Sequence, residues 1–210
     1  MQRIFFALLI SLLLIAPLQA QDFLKHVTAE VGAGFSFPVG TTANHNKTGF
    51  NFVASGGPRF NPRLSLSLDF SLHYFNLKNS FTDPTTGVDL SLGSDMRLWS
   101  LTLNPSYVFI KKERVSSYVT GGYGLYNRRL LLAATGAIPA VACDQFWEVC
   151  VSSGPQMVTG NPSPYKGGFN AGGGVAFGVT NKFFVEVRYH RMFTTNAPTQ
   201  LIPLTFGIRW

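Results

Sequence analysis

The sequence predicts an all-β protein: a single eight-stranded antiparallel up-and-down transmembrane β-barrel over residues 21–210, behind a signal peptide over residues 1–20. Three observations lead there. The chain starts with a short apolar leader. The remainder is a series of period-two runs whose polar face is small rather than charged. The connections between those runs alternate between short and long.

The leader, MQRIFFALLISLLLIAPLQA, carries one basic residue, Arg3, then an apolar core from Ile4 to Ile15, Pro17 and a small residue at Ala20. That order is the pattern of a secretory signal, with cleavage expected after Ala20. A membrane-anchor helix is disfavoured, because the apolar run falls short of the ~20 residues a span needs. Loss of Arg3 takes the 17 basic residues to 16 against 10 acidic ones, a net charge of +6 on the mature chain. A basic exported protein meets anionic lipid or polysaccharide. Its basic residues are scattered along the sequence, which argues against a nucleic-acid partner.

Cys143 and Cys150 are the two cysteines of the chain. Both follow the leader, so they would meet an oxidising compartment. A lone pair with no histidine nearby lacks the four ligands of a structural zinc site. A disulfide closing a small loop is the expectation.

The runs follow in order. In VTAEVGAGFSF, Val27, Ala29, Val31, Ala33, Phe35 and Phe37 share a face, against Thr28, Glu30, Gly32, Gly34 and Ser36. In TGFNFVASG, Phe50, Phe52 and Ala54 oppose Asn51, Val53 and Ser55. RLSLSLDFSLHY sets Leu64, Leu66, Leu68, Phe70, Leu72 and Tyr74 against Arg63, Ser65, Ser67, Asp69, Ser71 and His73. That alternation fits a strand and no helix. WSLTLNPSYVF aligns Trp99, Leu101, Leu103, Pro105, Tyr107 and Phe109. SSYVTGGYGLY is strand-like, with two faces that are hard to tell apart. GFNAGGGVAFGV aligns Phe169, Ala171, Gly173, Val175, Phe177 and Val179, and FVEVRYHRMF sets Val185, Val187 and Tyr189 against Glu186, Arg188 and His190. LIPLTFGIRW closes the set with Ile202, Leu204, Phe206, Ile208 and Trp210. Most runs approach the about 9–11 residues that cross an outer membrane at a tilt.

Segments 57–63, 110–117 and 179–182 are short, whereas the set 41–47, 76–95, 127–166 and 194–199 includes long ones. Short turns on one side and longer loops on the other mark a membrane barrel. Period-two faces also occur in soluble barrels and sandwiches. There the polar face meets water and is rich in Lys and Glu. Here it is Gly, Ser and a few ionisable groups, in a chain only 13% charged. An inside-out barrel accounts for this, with small polar residues in the lumen and Leu and Phe toward lipid.

Residues 204–210 end on an aromatic inside a strand. Leu204, Phe206, Ile208 and Trp210 resemble the carboxy-terminal signal of bacterial outer-membrane barrels, which implies recognition by the barrel-assembly machinery. With AEVGAGFSF, YVTGGYGLY, FNAGGGVAFGV and FVEVRYHRMF, the chain resembles the small OmpA-like outer-membrane β-barrel family over 21–210. The resemblance implies an eight-stranded barrel in the outer membrane, a monomer in contact with outer-membrane lipid and lipopolysaccharide, with no cofactor. No peptidoglycan-binding domain is expected after it. Fold alone gives little functional resolution in such a family.

Glu30, Arg63, Asp69, Glu186, Arg188 and Arg209 fall on polar faces, joined by His73 and His190. An eight-stranded barrel is just wide enough for side chains to fill it. The expectation is therefore a lumenal ion-pair network that plugs the barrel, because buried charges must be paired. Glu186 and Arg188 lie two apart on one strand and share a face. The alternative is a small-solute channel. A lipid A-modifying enzyme is less favoured. Small outer-membrane deacylases use a His with a Ser two residues later, but Met192 stands where that Ser would follow His190. No catalytic, metal or cofactor motif is recognised. The loop 127–166 is the expected surface for an extracellular ligand.

Overall fold

The structure is a computed structural model that describes residues 27–78, 95–133, 142–144, 149–151, 157–160, 165–179, 182–195 and 197–210. The expected signal peptide lies outside the described residues. In chain order the elements are β1 (Val27–Pro38), a one-turn helix α1 (Thr41–His45), β2 (Gly49–Pro58), β3 (Leu64–Asn76), β4 (Asp95–Lys111) and β5 (Val115–Ala133). Three short pieces follow, β6 (Ala142–Asp144), β7 (Val149–Val151) and β8 (Met157–Gly160). The chain finishes with β9 (Lys166–Phe177), β10 (Lys182–Met192) and β11 (Thr199–Arg209).

Eight strands close on themselves. The hydrogen-bonded order is β4-β3-β2-β1-β11-β10-β9-β5, and β5 pairs back to β4. Every pairing is antiparallel. This is the up-and-down barrel the sequence predicts. The last strand closes against the first, with Glu30↔Arg209 through Pro38↔Leu201 as partners, and the Trp210 amide donates to the Ala29 carbonyl at 2.9 Å. No edge is left, so each backbone polar group in the apolar zone finds its partner within the barrel.

The faces divide as the alternation indicates. On β3, Leu68 is 51% exposed, while its neighbours Ser67 and Asp69 are buried. Phe35, Phe50, Leu103, Val187 and Phe206 likewise point outward from their strands. A belt of large apolar side chains on the outside, around a polar interior, fits lipid and not water.

Two features of the elements depart from the sequence reading. First, β4 and β5 run well past the expected runs, at 17 and 19 residues. Their outer ends take up residues assigned to loops, and β5 is joined there by β8, with Leu130↔Gly160 to Ala133↔Met157 as partners. Second, large apolar side chains enter the interior at that end, beside buried polar ones such as Arg128, which donates to Thr199. Phe75, Met96, Leu98, Tyr126, Met192 and Leu201 are all buried, while Asn76, Arg97 and Arg129 are exposed. At the outer end of β4 the polarity of the faces inverts, with Met96 and Leu98 in and Arg97 out, as in a soluble barrel. These strand ends therefore stand in water beyond the lipid, and their core is built accordingly.

The opposite end carries the short turns, which face the periplasm in this architecture. Asn61 Oδ1 accepts the amides of Arg63 and Leu64, both at 2.8 Å, and so closes the β2–β3 turn. Gly178 follows β9 at φ 127°, a conformation that favours glycine. Its amide donates to the Arg114 carbonyl and ties two turns together.

Candidate functional site

The centre of the barrel holds a continuous chain of polar contacts. Asp69 on β3 and Glu186 on β10 converge on Arg188. Arg188 Nη1 lies 2.6 Å from Asp69 Oδ2, and Nη2 lies 2.7 Å from Glu186 Oε1. All three side chains are buried, so the pairing offsets a desolvation cost of several kcal/mol per ion. The Tyr118 hydroxyl on β5 donates to Glu186 Oε2 at 3.0 Å. The Arg209 guanidinium stacks on the Tyr118 ring, 3.8 Å from its centroid, and pairs with Glu30 Oε1 at 2.6 Å. One path thus links β3, β10, β5, β11 and β1.

A second, neutral network lies toward the outer end. His73 Nδ1 meets Ser36 Oγ at 2.7 Å, and its Nε2 meets Ser71 Oγ at 3.0 Å. Ser71 continues to Ser100 at 2.7 Å. His190 Nδ1 meets the Tyr126 hydroxyl at 3.1 Å, and the two imidazoles stand edge to face, 5.4 Å apart. His190 therefore faces a tyrosine, with no serine hydroxyl placed on it by these contacts. The arrangement orders side chains.

The space left among these groups is small. A cavity of about 10 Å³ lies between Asp69, Ser71, His73, Glu186, Arg188 and His190. That is room for roughly one water. Below it Tyr118 and Phe184 are buried across the lumen, and above it Phe75, Leu98, Tyr126 and Leu201 are buried. Two close approaches make this filling possible. A Cβ at Gly174 would lie 2.7 Å from the Tyr118 hydroxyl, and one at Gly168 would lie 2.8 Å from the Tyr126 ring. Glycine on β9 clears the space that aromatics on β5 occupy.

Of the six residues assigned to a lumenal network, the structure brings together Glu30, Asp69, Glu186, Arg188 and Arg209. Arg63 is a correction. It precedes β3 in the short turn and is exposed, because the strand begins only at Leu64 and the alternation does not reach it. Tyr118, the link between the two ion pairs, was not singled out from sequence. Its signal is the glycine directly opposite it in the β5–β9 register, Tyr118↔Gly174. Leu204, Phe206, Ile208 and Trp210 lie on the outward side of the closing strand, with Phe206, Ile208 and Trp210 exposed. Cys143 and Cys150 are direct partners in the β6–β7 ladder, and residues 145–148 between those strands lie outside the described residues.

Among solved structures, the chain is similar to Neisserial surface protein A, at 16% identity and a TM-score of 0.58, over 87% of this chain and 95% of that one. It is also similar to Ail, the attachment invasion locus protein of Yersinia pestis, in complex with the heparin analogue sucrose octasulfate. There the identity is 16% and the TM-score 0.49, over 88% of this chain and 98% of that one. OprG from Pseudomonas aeruginosa matches at 11% identity and a TM-score of 0.49, over 88% and 96%. At these identities, the likeness to the Neisserial protein speaks for the fold alone. No curated protein matches. The sequence itself matches the family described as "Outer membrane protein beta-barrel domain" over residues 5–209. With its apolar side turned outward on a closed eight-stranded barrel, and a family match that spans nearly the whole chain, this is an outer-membrane protein that belongs to the outer membrane protein beta-barrel domain family.

Proposed function

We propose that the protein is a closed barrel with a structural and surface-interaction role. Its rigid body holds external loops against lipopolysaccharide or an extracellular ligand, and it passes no solute. The observation that carries this reading is the filled lumen: two aromatic layers with a buried ion network between them, and about 10 Å³ of free space at the centre. A hydrated ion needs a continuous wet path, and the buried pairs of Arg188 with Asp69 and Glu186 and of Arg209 with Glu30 stand in the way of one. The leader is read as a signal peptide cleaved after Ala20, and Leu204, Phe206, Ile208 and Trp210 as the strand recognised by the assembly machinery. Cys143 and Cys150 are read as a disulfide. Directly opposed residues in an antiparallel ladder have Cα atoms roughly 4.5–5.5 Å apart, within the range a disulfide spans.

Planar-bilayer recording with the purified, refolded protein tests the closed lumen. The expected trace is flat. Reproducible unitary steps would replace this reading with a small-solute channel.

A further inference from the structure

The basic residues that look scattered along the sequence are gathered by the fold at one place. The mouth at the short-turn end encloses a cavity of about 550 Å³. Arg59, Arg63, Lys111, Lys112, Lys182 and Arg209 line it, and Glu113 is the single acidic side chain among the lining residues. The turns supply Arg59, Arg63 and Lys112, while Lys111, Lys182 and Arg209 stand at the last residue of β4, the first of β10 and the last of β11. Arg209 is already paired with Glu30. Arg59 is held in place: its Nε and Nη2 donate to Thr28 Oγ1 at 3.1 and 3.0 Å, and Nη2 also reaches the Trp210 carbonyl oxygen at 3.3 Å.

We propose that this mouth is a binding site for a soluble, carboxylate-bearing ligand of the periplasm, namely the peptide stems of the cell-wall polymer. Four considerations support it. Like charges crowded into one concave space repel one another, a cost that an anion relieves. The volume falls within the roughly 300–1,000 Å³ of ligand pockets. Arginine forks and lysine ammoniums match carboxylates, and Leu64, Val108 and Val179 add apolar wall for the stem itself. Finally, Thr28, Ser65, Ser116 and Arg209 are set inward on their strands, so the cavity opens along the barrel axis.

The test is calorimetric titration of the full-length, refolded protein in neutral detergent, with a soluble disaccharide–tetrapeptide muropeptide as the probe. Saturable binding that weakens as salt rises is the expected result. The same muropeptide with its carboxylates amidated should not bind. Arg63→Gln with Lys111→Gln and Lys112→Gln should weaken binding by about tenfold or more, as the loss of three exposed charges allows. Glu113→Gln should tighten it, so a readout remains even if the triple variant folds poorly. Equal binding of the amidated probe, or undiminished binding by a well-folded triple variant, would overturn the site. So would displacement of the muropeptide by glycerophosphoglycerol at equal concentration, which would assign the mouth to lipid headgroups. Each of these readouts is independent of bilayer conductance, so a failure here leaves the closed-lumen reading standing.

Discussion

Arg188 is the residue on which the interior turns. It pairs with two carboxylates at once, and both are buried. Arg188→Met leaves Asp69 and Glu186 facing each other without a cation. Breaking a buried pair in this way costs about 3–5 kcal/mol. A urea titration of the refolded barrel in micelles should show that loss. Adding Asp69→Asn and Glu186→Gln should recover most of it, since the uncompensated charge is the source of the penalty. Tyr118→Phe keeps the ring under Arg209 but removes its donor to Glu186. A hydrogen bond to a charged group is worth about 1.5–3 kcal/mol, and the same titration reads it. The outward face has its own test. Leu68→Arg should destabilise by about 2–4 kcal/mol if the residue sits near the bilayer midplane. Ser67→Arg points into the lumen and acts by crowding. If Leu68→Arg titrated like the parent protein, the outer face at that level would be meeting water.

Strand by strand, the alternation was legible wherever one side meets lipid. β3 reads correctly from Leu64 to Tyr74 because every outward residue there is large and apolar. The same rule fails at the outer ends of β4 and β5. Met96 and Leu98 face in while Arg97 faces out, so the period persists but its polarity is reversed, and the segment reads as loop. β5 was ambiguous for a different reason. Tyr118 and Tyr126 point inward while Tyr123 points outward, so aromatic character does not mark a side. Gly174 is paired opposite Tyr118 and Gly168 lies under Tyr126, but the outward Tyr123 lies over Gly167 in the same way, so the glycines of β9 do not mark a side either. Asp69 and Arg188 could be assigned to the lumen from sequence, but their contact spans 119 positions and no local pattern encodes it. The closing strand yields the element-scale prediction. Trp210→Asp places a charge beside the β1–β11 seam and should sharply cut surface assembly without blocking export, as read by fractionation. Normal assembly of that variant would show that the terminal aromatic is no signal. Cys143→Ser with Cys150→Ser should leave barrel formation intact, because β6 and β7 form a separate two-stranded sheet. Two reactive thiols in the unfolded, unreduced parent would show that no bridge forms.

For the molecule as a whole, closure is the property that resists denaturation. With no free edge and a packed lumen, detergent finds no place to begin. The unheated protein should therefore migrate faster on a gel than the boiled one, and identical migration would contradict a closed barrel. The long outer ends of β4 and β5 matter at this scale too. β9 begins to pair with β5 at Tyr126, yet β5 continues to Ala133. At about 3.4 Å per residue, the stretch from Asn127 to Ala133 adds roughly 20 Å along the strand. β4 flanks it on one side through Asp95↔Leu131, and β8 on the other. The result is a stiff pedestal rather than a slack tether. That ribbon of paired strands sets how far beyond the ring of eight strands the segment after Ala133 begins.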